Sequence, residues 1–260
     1  MPATITQGSA KVRATSRWDM GAWTRQRTMR PLQREFKRQL EQLLDPARCL
    51  SLARLKSYCL MESWLGLGNE STSVLEVGCG PGRFAALLAS LGYRVTAVDP
   101  FSFPEWDIIK KRTAVSFMDQ VRAEALPFES ASFDHVTCIA TLHYVANPAA
   151  ALDEMRRVIR PGGRLVIRTV NKSNLFTLWR GRKLDPASTN LYAMDELKSL
   201  ISERGFKIKQ SYAYGFMPPI LTDLWWYLMS VWIPEAMQRG LSACTPAAYR
   251  HNNYVLASAE

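Results

Sequence analysis

The pattern of apolar and polar positions along the chain predicts strands that alternate with helices. Short continuous apolar runs, such as residues 74–77 and 95–98, are typical of strands buried on both faces of a sheet. The predicted strands lie near residues 73–77, 94–98, 114–118, 133–139, 164–169, 206–213 and 252–258. Segments with helical spacing fall near residues 82–91, 104–111, 148–159 and 194–204. This order predicts an α/β fold with a seven-stranded, mostly parallel sheet and helices on both faces.

The region before the first strand divides into a tail and a helical extension. Residues 1–23 are small and polar, and we predict that they are disordered. Residues 24–70 are predicted to form two helices, because Asp45-Pro46 interrupts an amphipathic pattern. The second of these helices is expected at residues 51–65. The sheet and its helices then occupy residues 71–260.

A long insertion, residues 215–252, separates the last two predicted strands. Within it, residues 220–233 are apolar on nearly every side of a helix and include Trp225 and Trp226. Such a helix must be buried on several sides. Packing on the sheet edge, a lid or cap over a pocket, a homodimer seam and a membrane-interface contact each provide that burial. The helical pattern alone does not choose among them. Because the insertion holds more tryptophan and methionine than a short connection needs, we expect it to form a lid or cap over a pocket, with Trp225 or Trp226 lining that pocket.

The positive charge of the chain is concentrated near its start. The net charge is +10, and residues 1–70 hold 12 basic against 6 acidic side chains, whereas residues 71–170 are nearly neutral. A solvated helix face accounts for this excess, and so does contact with an anionic membrane surface, an anionic small molecule or RNA.

Cysteine usage indicates a reducing compartment. The five cysteines are scattered, with no Cys-x-x-Cys spacing, and the chain has 3 histidines. We therefore expect free thiols, no metal site and a cytoplasmic location. Residues 1–18 have no apolar core of the signal-peptide type, which agrees with that expectation.

The sequence of residues 74–82, Val-Leu-Glu-Val-Gly-Cys-Gly-Pro-Gly, predicts a nucleoside site. A buried strand runs into a glycine-rich turn that opens a helix, and glycines let a ligand approach the backbone closely. Asp99 ends the second strand, 21 residues after Gly78. An acid at that place in a βαβ unit accepts hydrogen bonds from a ribose diol. Gly80, Gly82 and Ala85 also match a nicotinamide-binding turn, so this pattern alone leaves two nucleoside classes open.

Further motifs separate the two classes. The turn has the form Glu-x-Gly-x-Gly-x-Gly, starting at Glu76, and four segments follow in order: Leu126-Pro127-Phe128, Ser132-Phe133-Asp134, Thr141-Leu142-His143-Tyr144-Val145 and Arg160-Pro161-Gly162-Gly163-Arg164-Leu165. The chain thereby resembles the class I (Rossmann-like) S-adenosylmethionine-dependent methyltransferases, in their ubiquinone-methyltransferase-like (type 11) branch. The resemblance covers about residues 50–210.

The resemblance implies S-adenosyl-L-methionine as the cofactor and assigns the residues around it. It places Glu76 near the methionine end, Asp99 at the ribose hydroxyls and Pro100 beside the adenine. The full set of implied cofactor residues is Glu76, Gly78, Cys79, Gly80, Gly82, Asp99, Pro100, Ala123, Glu124 and Ala140. One departure concerns the adenine amino group, because Arg122 stands where the family usually has an acid. Recognition of the adenine would then rest on backbone at Ala123, on Asp119 through a shifted loop, or on no charged group at all.

His143 is the candidate catalytic base. It follows the fourth predicted strand, at the edge where ligands bind in open α/β sheets. A pKa near 6.5, the ordinary value for histidine, suits proton removal at neutral pH. A packing or helix-capping role for His143 is the alternative, and Tyr144 or a tyrosine of the insertion would then be the candidate base.

The sequence predicts an enzyme that methylates oxygen or nitrogen of a small, fairly apolar molecule. Two other functions stay open: an RNA methyltransferase of the transfer-RNA type that uses the basic N-terminal region, and a cofactor-binding partner protein without transfer activity. The chain has no Asn-Pro-Pro-Tyr or Asp-Pro-Pro-Tyr segment, which argues against DNA as the acceptor.

Overall fold

The computed structural model describes residues 52–66, 68–173, 190–216 and 250–260. Helices and strands alternate along these residues. In chain order they are α1 (Leu52–Ser63), β1 (Ser73–Val77), α2 (Arg83–Ser90), β2 (Arg94–Val98), α3 (Glu105–Lys110), β3 (Ser116–Met118), β4 (Phe133–Ile139), a 3₁₀ turn (Leu142–Tyr144), α4 (Pro148–Val158), β5 (Ile159–Val170), α5 (Met194–Glu203), β6 (Phe206–Phe216) and β7 (Arg250–Ala259).

The strands form a seven-stranded sheet in the order β3-β2-β1-β4-β5-β7-β6. Strands β1 to β5 pair in parallel, whereas β7 runs antiparallel to both β5 and β6. The order reverses between β1 and β4, so the carboxyl ends of these two strands flank the crevice in which open α/β sheets bind ligands. The predicted α/β class and the mostly parallel sheet are confirmed.

Each face of the sheet packs against its own helices. On the α1 face, α1, α2 and α3 bury apolar side chains that include Met61, Phe84 and Trp106. On the α4 face, α4 and α5 do the same with side chains that include Leu152 and Leu197. The strands between the two layers are largely buried, because both of their faces are covered: all five residues of β1 and five of the seven residues of β4 are buried.

Element positions agree with the predicted ones, and the differences lie at strand ends. β5 begins at Ile159, earlier than the predicted residue 164, because the glycine turn at Gly162 and Gly163 stays against β4. A Cβ on Gly163 would lie 2.4 Å from the Asp134 carbonyl oxygen, so this close approach requires glycine. β6 continues to Phe216 and β7 begins at Arg250. The ends of the predicted 215–252 insertion are therefore strand.

Several predictions fall partly or wholly outside the described residues. The tail at 1–23, the first helix of the extension and the apolar segment 220–233 all lie there. The second predicted helix of the extension is confirmed as α1. Among the residues that the structure describes, no helix has the length and apolar character needed to cross a membrane. Cys79 and Cys138 are buried free thiols.

Candidate active site

The glycine-rich turn after β1 has left-handed backbone at alternate residues. Gly78, Gly80 and Gly82 have φ values of 72°, 51° and 75°. L-residues with a side chain rarely adopt this conformation, which explains the glycine spacing. The backbone amides of Gly78 and Cys79 donate to the Val98 carbonyl at 2.8 and 3.1 Å, which ties the turn to the end of β2.

The three glycines meet different surroundings. A Cβ on Gly78 would lie 2.0 Å from the Thr141 side chain, and one on Gly82 would lie 2.6 Å from the Phe117 ring. A Cβ on Gly80 would meet nothing within 4 Å. Gly78 and Gly82 are therefore required by the protein's own packing, whereas Gly80 borders open space in which a ligand can contact the backbone.

Asp99 is held at the edge of this space. Its side chain is 7% exposed. Oδ2 accepts a hydrogen bond from the Gly80 amide at 2.8 Å, and Oδ1 accepts one from the Phe101 amide at 3.1 Å. An ionised carboxylate has about four lone-pair positions, so Asp99 keeps acceptor capacity for the hydroxyls of a ribose. The structure thus holds the Asp99 carboxylate beside the glycine turn.

Glu76 has an unusual environment on β1. It is 3% exposed, and the Ala85 backbone amide donates to its carboxyl group. Its Oε2 atom is buried and has no hydrogen-bond partner among the described residues. Burial, and secondarily the Asp99 charge, raises the pKa of Glu76 to about 8. An orphaned buried oxygen costs free energy unless a donor reaches it. The residue thus fits a cationic group of a ligand, such as the ammonium of a methionine end.

The predicted adenine side is formed by the ends of β2 and β3. The Asp99 amide donates to the Met118 carbonyl, and the Val121 amide donates to the Asp99 carbonyl. Pro100 is exposed, and the Phe101 side chain is 71% exposed. Apolar surface of that extent is what a flat base would cover. Ala123, which follows β3 along the chain, is buried.

The acidic residues near this end are not arranged around a base. The Arg122 side chain is exposed, and its Nε lies 3.9 Å from Glu124 Oε2. The Asn147 amide donates to Glu124 Oε1 at 3.3 Å, so the carboxylate is engaged at the start of α4. Asp119 is exposed. A role for Glu124 in cofactor binding stays a prediction.

The segment after β4 has strained backbone next to the turn. Ala140 has a φ of 57°, a conformation that costs a non-glycine residue about 1–3 kcal/mol. Its amide donates to the Arg168 carbonyl at 2.8 Å. Thr141 Oγ1 donates to the Gly78 carbonyl at 2.8 Å, which joins this segment to the glycine turn. Strained backbone conformations of this kind persist only where the surrounding structure fixes them, and they cluster at functional sites.

His143 lies in the 3₁₀ turn and is 3% exposed. Its Nδ1 is 3.3 Å from Thr169 Oγ1, and its ring centroid is 4.2 Å from that of Tyr144. Its carbonyl accepts from the Asn190 amide at 3.2 Å. The structure places His143 at the carboxyl edge of the sheet, as predicted. Its burial also agrees with the packing alternative.

Some residues that support the site have no distinctive sequence signal. Trp106 Nε1 donates to the Gly80 carbonyl at 2.7 Å, and the Trp106 ring stacks on Phe117 at 4.8 Å between centroids. Both residues occupy positions that the apolar pattern assigns to the core. Thr141 begins the motif Thr-Leu-His-Tyr-Val, but its hydrogen bond to Gly78 depends on strand register.

The described residues contain no group of three side chains suited to hold a metal ion.

Comparison with known proteins identifies the fold. A family model described as "Methyltransferase domain" matches residues 75–167. A Ubiquinone biosynthesis O-methyltransferase from Pseudomonas paraeruginosa is 32% identical over 111 residues, which cover 41% of this chain and 47% of the relative. The chain thus spans about half the length of the curated relatives it matches.

Solved structures share the fold at low sequence identity. Geranyl diphosphate C-methyltransferase from Streptomyces coelicolor, whose structure contains S-adenosyl-L-homocysteine, has a TM-score of 0.59 and 13% identity, covering 80% of this chain and 81% of that one. The [4+2]-cyclase SpnF has a TM-score of 0.56 and 21% identity, covering 78% and 79%.

The resemblance seen in the sequence motifs is confirmed. Residues 75–167 form a methyltransferase domain of the type 11 branch of the class I S-adenosylmethionine-dependent methyltransferases. The site residues described above fit that cofactor: Gly80 borders open space, Asp99 is held beside it, and Glu76 has an unpaired buried oxygen.

Proposed function

We propose that this chain, on the premise of its methyltransferase domain, transfers a methyl group from S-adenosylmethionine to oxygen or nitrogen of a small, fairly apolar molecule. The observation that carries the proposal is the paired arrangement of Asp99 and Gly80. A buried carboxylate is held by the amide of the one glycine of the turn whose Cβ would meet nothing within 4 Å. This arrangement suits an adenosine whose ribose hydroxyls reach Asp99 while its chain passes the backbone at Gly80.

The residues of this chain would mainly bind and orient the reactants. When bound, the cofactor supplies a sulfonium leaving group and an electrophilic methyl carbon. Because that leaving group is already good, alignment of the acceptor with the methyl carbon provides most of the rate. Asp99 and the glycine turn hold the nucleoside end, and Glu76 accepts a hydrogen bond from the ammonium group. Trp106 fixes the Gly80 carbonyl and thereby the shape of the turn.

His143 would act on acceptors that must lose a proton. Neutral imidazole carries one N–H, so the two ring nitrogens have opposite roles. If Nδ1–H donates to Thr169 Oγ1, Nε2 is the basic nitrogen, and Thr169 fixes this tautomer.

The names of the relatives and two segments of the sequence support an apolar acceptor. The curated relatives are named for O-methylation in ubiquinone biosynthesis. The 220–233 segment supplies two adjacent tryptophans suited to cover an apolar molecule, and the basic N-terminal region suits an anionic surface. The 220–233 segment and residues 1–51 of the N-terminal region lie outside the described residues. Reduced thiols at Cys79 and Cys138 agree with action in the cytoplasm.

The proposal is tested by labelled-methyl transfer. The purified full chain is incubated with S-adenosylmethionine carrying a radioactive methyl group and a panel of phenols, catechols, amines and bulk transfer RNA. Label in a small phenol or amine supports the proposal, whereas label in RNA alone favours the RNA alternative. Cofactor binding with no transfer to any acceptor favours the non-catalytic alternative. The Asp99→Asn variant, run in parallel, separates site-dependent transfer from contamination.

A further inference from the structure

Arg168 on β5 carries a charge that the described protein does not neutralise. Its Nε atom is buried and has no hydrogen-bond partner among the described residues. Its Nη2 lies 3.4 Å from Asn252 Oδ1, a neutral acceptor at the limit of hydrogen-bond distance. Within the described ranges, no carboxylate forms an ion pair with it. A guanidinium with a buried, unpaired donor is costly unless an anion reaches it.

Strand register places Arg168 on the same sheet face as Glu76. Glu76 is paired with Thr137 of β4, and Thr137 is paired with Val166 of β5. Paired residues on neighbouring strands share a face, and alternate residues along one strand share it too. Arg168 therefore lies on the α1 face, two residues beyond Val166 toward the carboxyl edge.

The spacing between Glu76 and Arg168 suits a small zwitterion. Two strand spacings and one two-residue step separate their Cα atoms by about 12 Å. Between them on this face lie two residues of β4: Thr137, which pairs with Glu76, and Ile139, which pairs with Arg168. A Cα separation of this order can be spanned by a glutamate and an arginine side chain with the ammonium and carboxylate groups of one amino acid between them.

We propose that Arg168 binds the carboxylate of the cofactor's methionine end, opposite Glu76, which binds its ammonium group. The inference rests on the proposed function, because it needs S-adenosylmethionine or its product in the site. Arginine suits this role because its planar fork donates two parallel hydrogen bonds to a carboxylate. Asn252 orients the guanidinium through Nη2 and leaves Nε for the ligand.

Two ligands that differ at the amino acid end test the assignment. S-adenosylhomocysteine carries the ammonium and carboxylate, whereas 5′-methylthioadenosine keeps the nucleoside and the thioether and lacks both charges. In calorimetric titration of the full chain, Arg168→Met should weaken S-adenosylhomocysteine binding about tenfold to a hundredfold. The affinity for 5′-methylthioadenosine should change by less than about twofold, because that ligand never contacts Arg168. Arg168→Lys, which keeps the charge without the fork, should lose less.

The control is Arg94→Met. Arg94 is exposed and begins β2, so it lies at the amino-terminal end of the strands, whereas Arg168 lies toward their carboxyl end. The Arg94→Met substitution should leave both affinities unchanged. If Arg168→Met weakened the binding of both ligands equally, the result would overturn the assignment, because it would show that Arg168 has a structural role. Unchanged binding of both would also overturn it, and would leave an anionic group of the acceptor as the partner. If the unmodified chain binds neither ligand, the proposed function fails and this inference fails with it.

Discussion

Replacing Glu76 by glutamine should make the unliganded protein more stable at neutral pH, and the gain should grow with pH. Burial raises the pKa of Glu76 from 4.5 to about 8. The folded chain therefore keeps this proton up to about pH 8, whereas the unfolded chain loses it above pH 4.5. The stabilisation that the proton provides is fully present below pH 4.5 and is lost as the pH rises through about 8. Glutamine is neutral at every pH and has no such dependence.

The size of the effect follows from the distance between the two pKa values. Within that window, each pH unit corresponds to about 1.4 kcal/mol of unfolding free energy. From pH 5.5 to 7.5, the advantage of Glu76→Gln over the unmodified protein should therefore widen by roughly 2–3 kcal/mol. The amide can still accept from the Ala85 backbone, so the packing of β1 against α2 is kept.

Urea unfolding at pH 5.5, 6.5 and 7.5 measures this difference. Glu62 provides a matched control, because burial raises its pKa to about 7 while Tyr93 donates to it. The difference in unfolding free energy between Glu62→Gln and the unmodified protein should stop widening near pH 7, one pH unit below the point at which it stops for Glu76→Gln. Parallel stability curves for Glu76→Gln and the unmodified protein would refute the reasoning, since they would mean that Glu76 ionises normally in the fold. Saturating S-adenosylhomocysteine should stabilise the unmodified protein more than the variant.

The remaining predictions concern the turn, the ribose site and the base. Asp99→Ala should weaken S-adenosylmethionine binding by roughly 1.5–3 kcal/mol in calorimetry; an unchanged affinity would remove the residue from the site. Gly80→Ala should lower the melting temperature only by the cost of its left-handed backbone and should also weaken cofactor binding, whereas Gly78→Ala should melt much earlier because its Cβ has no space as well; equal melting would contradict this difference. With an acceptor found in the transfer assay, His143→Ala should reduce turnover about 10²–10⁴-fold with little change in cofactor affinity. Thr169→Val should reduce turnover and shift its pH profile, and Thr169→Ser should restore both; an unchanged profile would assign His143 to packing.

The sequence predicts the sheet well because its strands are marked by short apolar runs. In β1 all five residues are buried, and the run is visible without tertiary information. Helix α4 is similarly marked, since Asn147 caps it and Pro148 occupies its first turn. The start of β5 and the end of β6 are harder to predict, because strand pairing extends them beyond their apolar segments: Ile159 pairs with Phe133 of β4, and Phe216 pairs with Arg250 of β7.

The residues of the candidate site also fall into two groups: those that a local sequence motif marks, and those that only the tertiary structure brings to the site. Gly78, Gly80 and Asp99 belong to one local motif, so spacing alone assigns them. Trp106 and Arg168 reach the site only through the packing of α3 and the register of β5, and neither has a local pattern. Burial of the Glu76 oxygen is likewise a tertiary property, which no count of residues in the sequence can show.

The position of β7 constrains the order in which the sheet can assemble during synthesis. β7 follows β6 in the chain but lies between β5 and β6 in the sheet. β6 therefore has no strand to pair with until β7 has left the ribosome, whereas β1 to β5 can pair as they emerge. Until then β5 is an open sheet edge with apolar residues, the kind of edge that pairs with other chains. Substitutions that weaken β7 would thus raise aggregation of nascent chains before they alter methyl transfer by the finished protein.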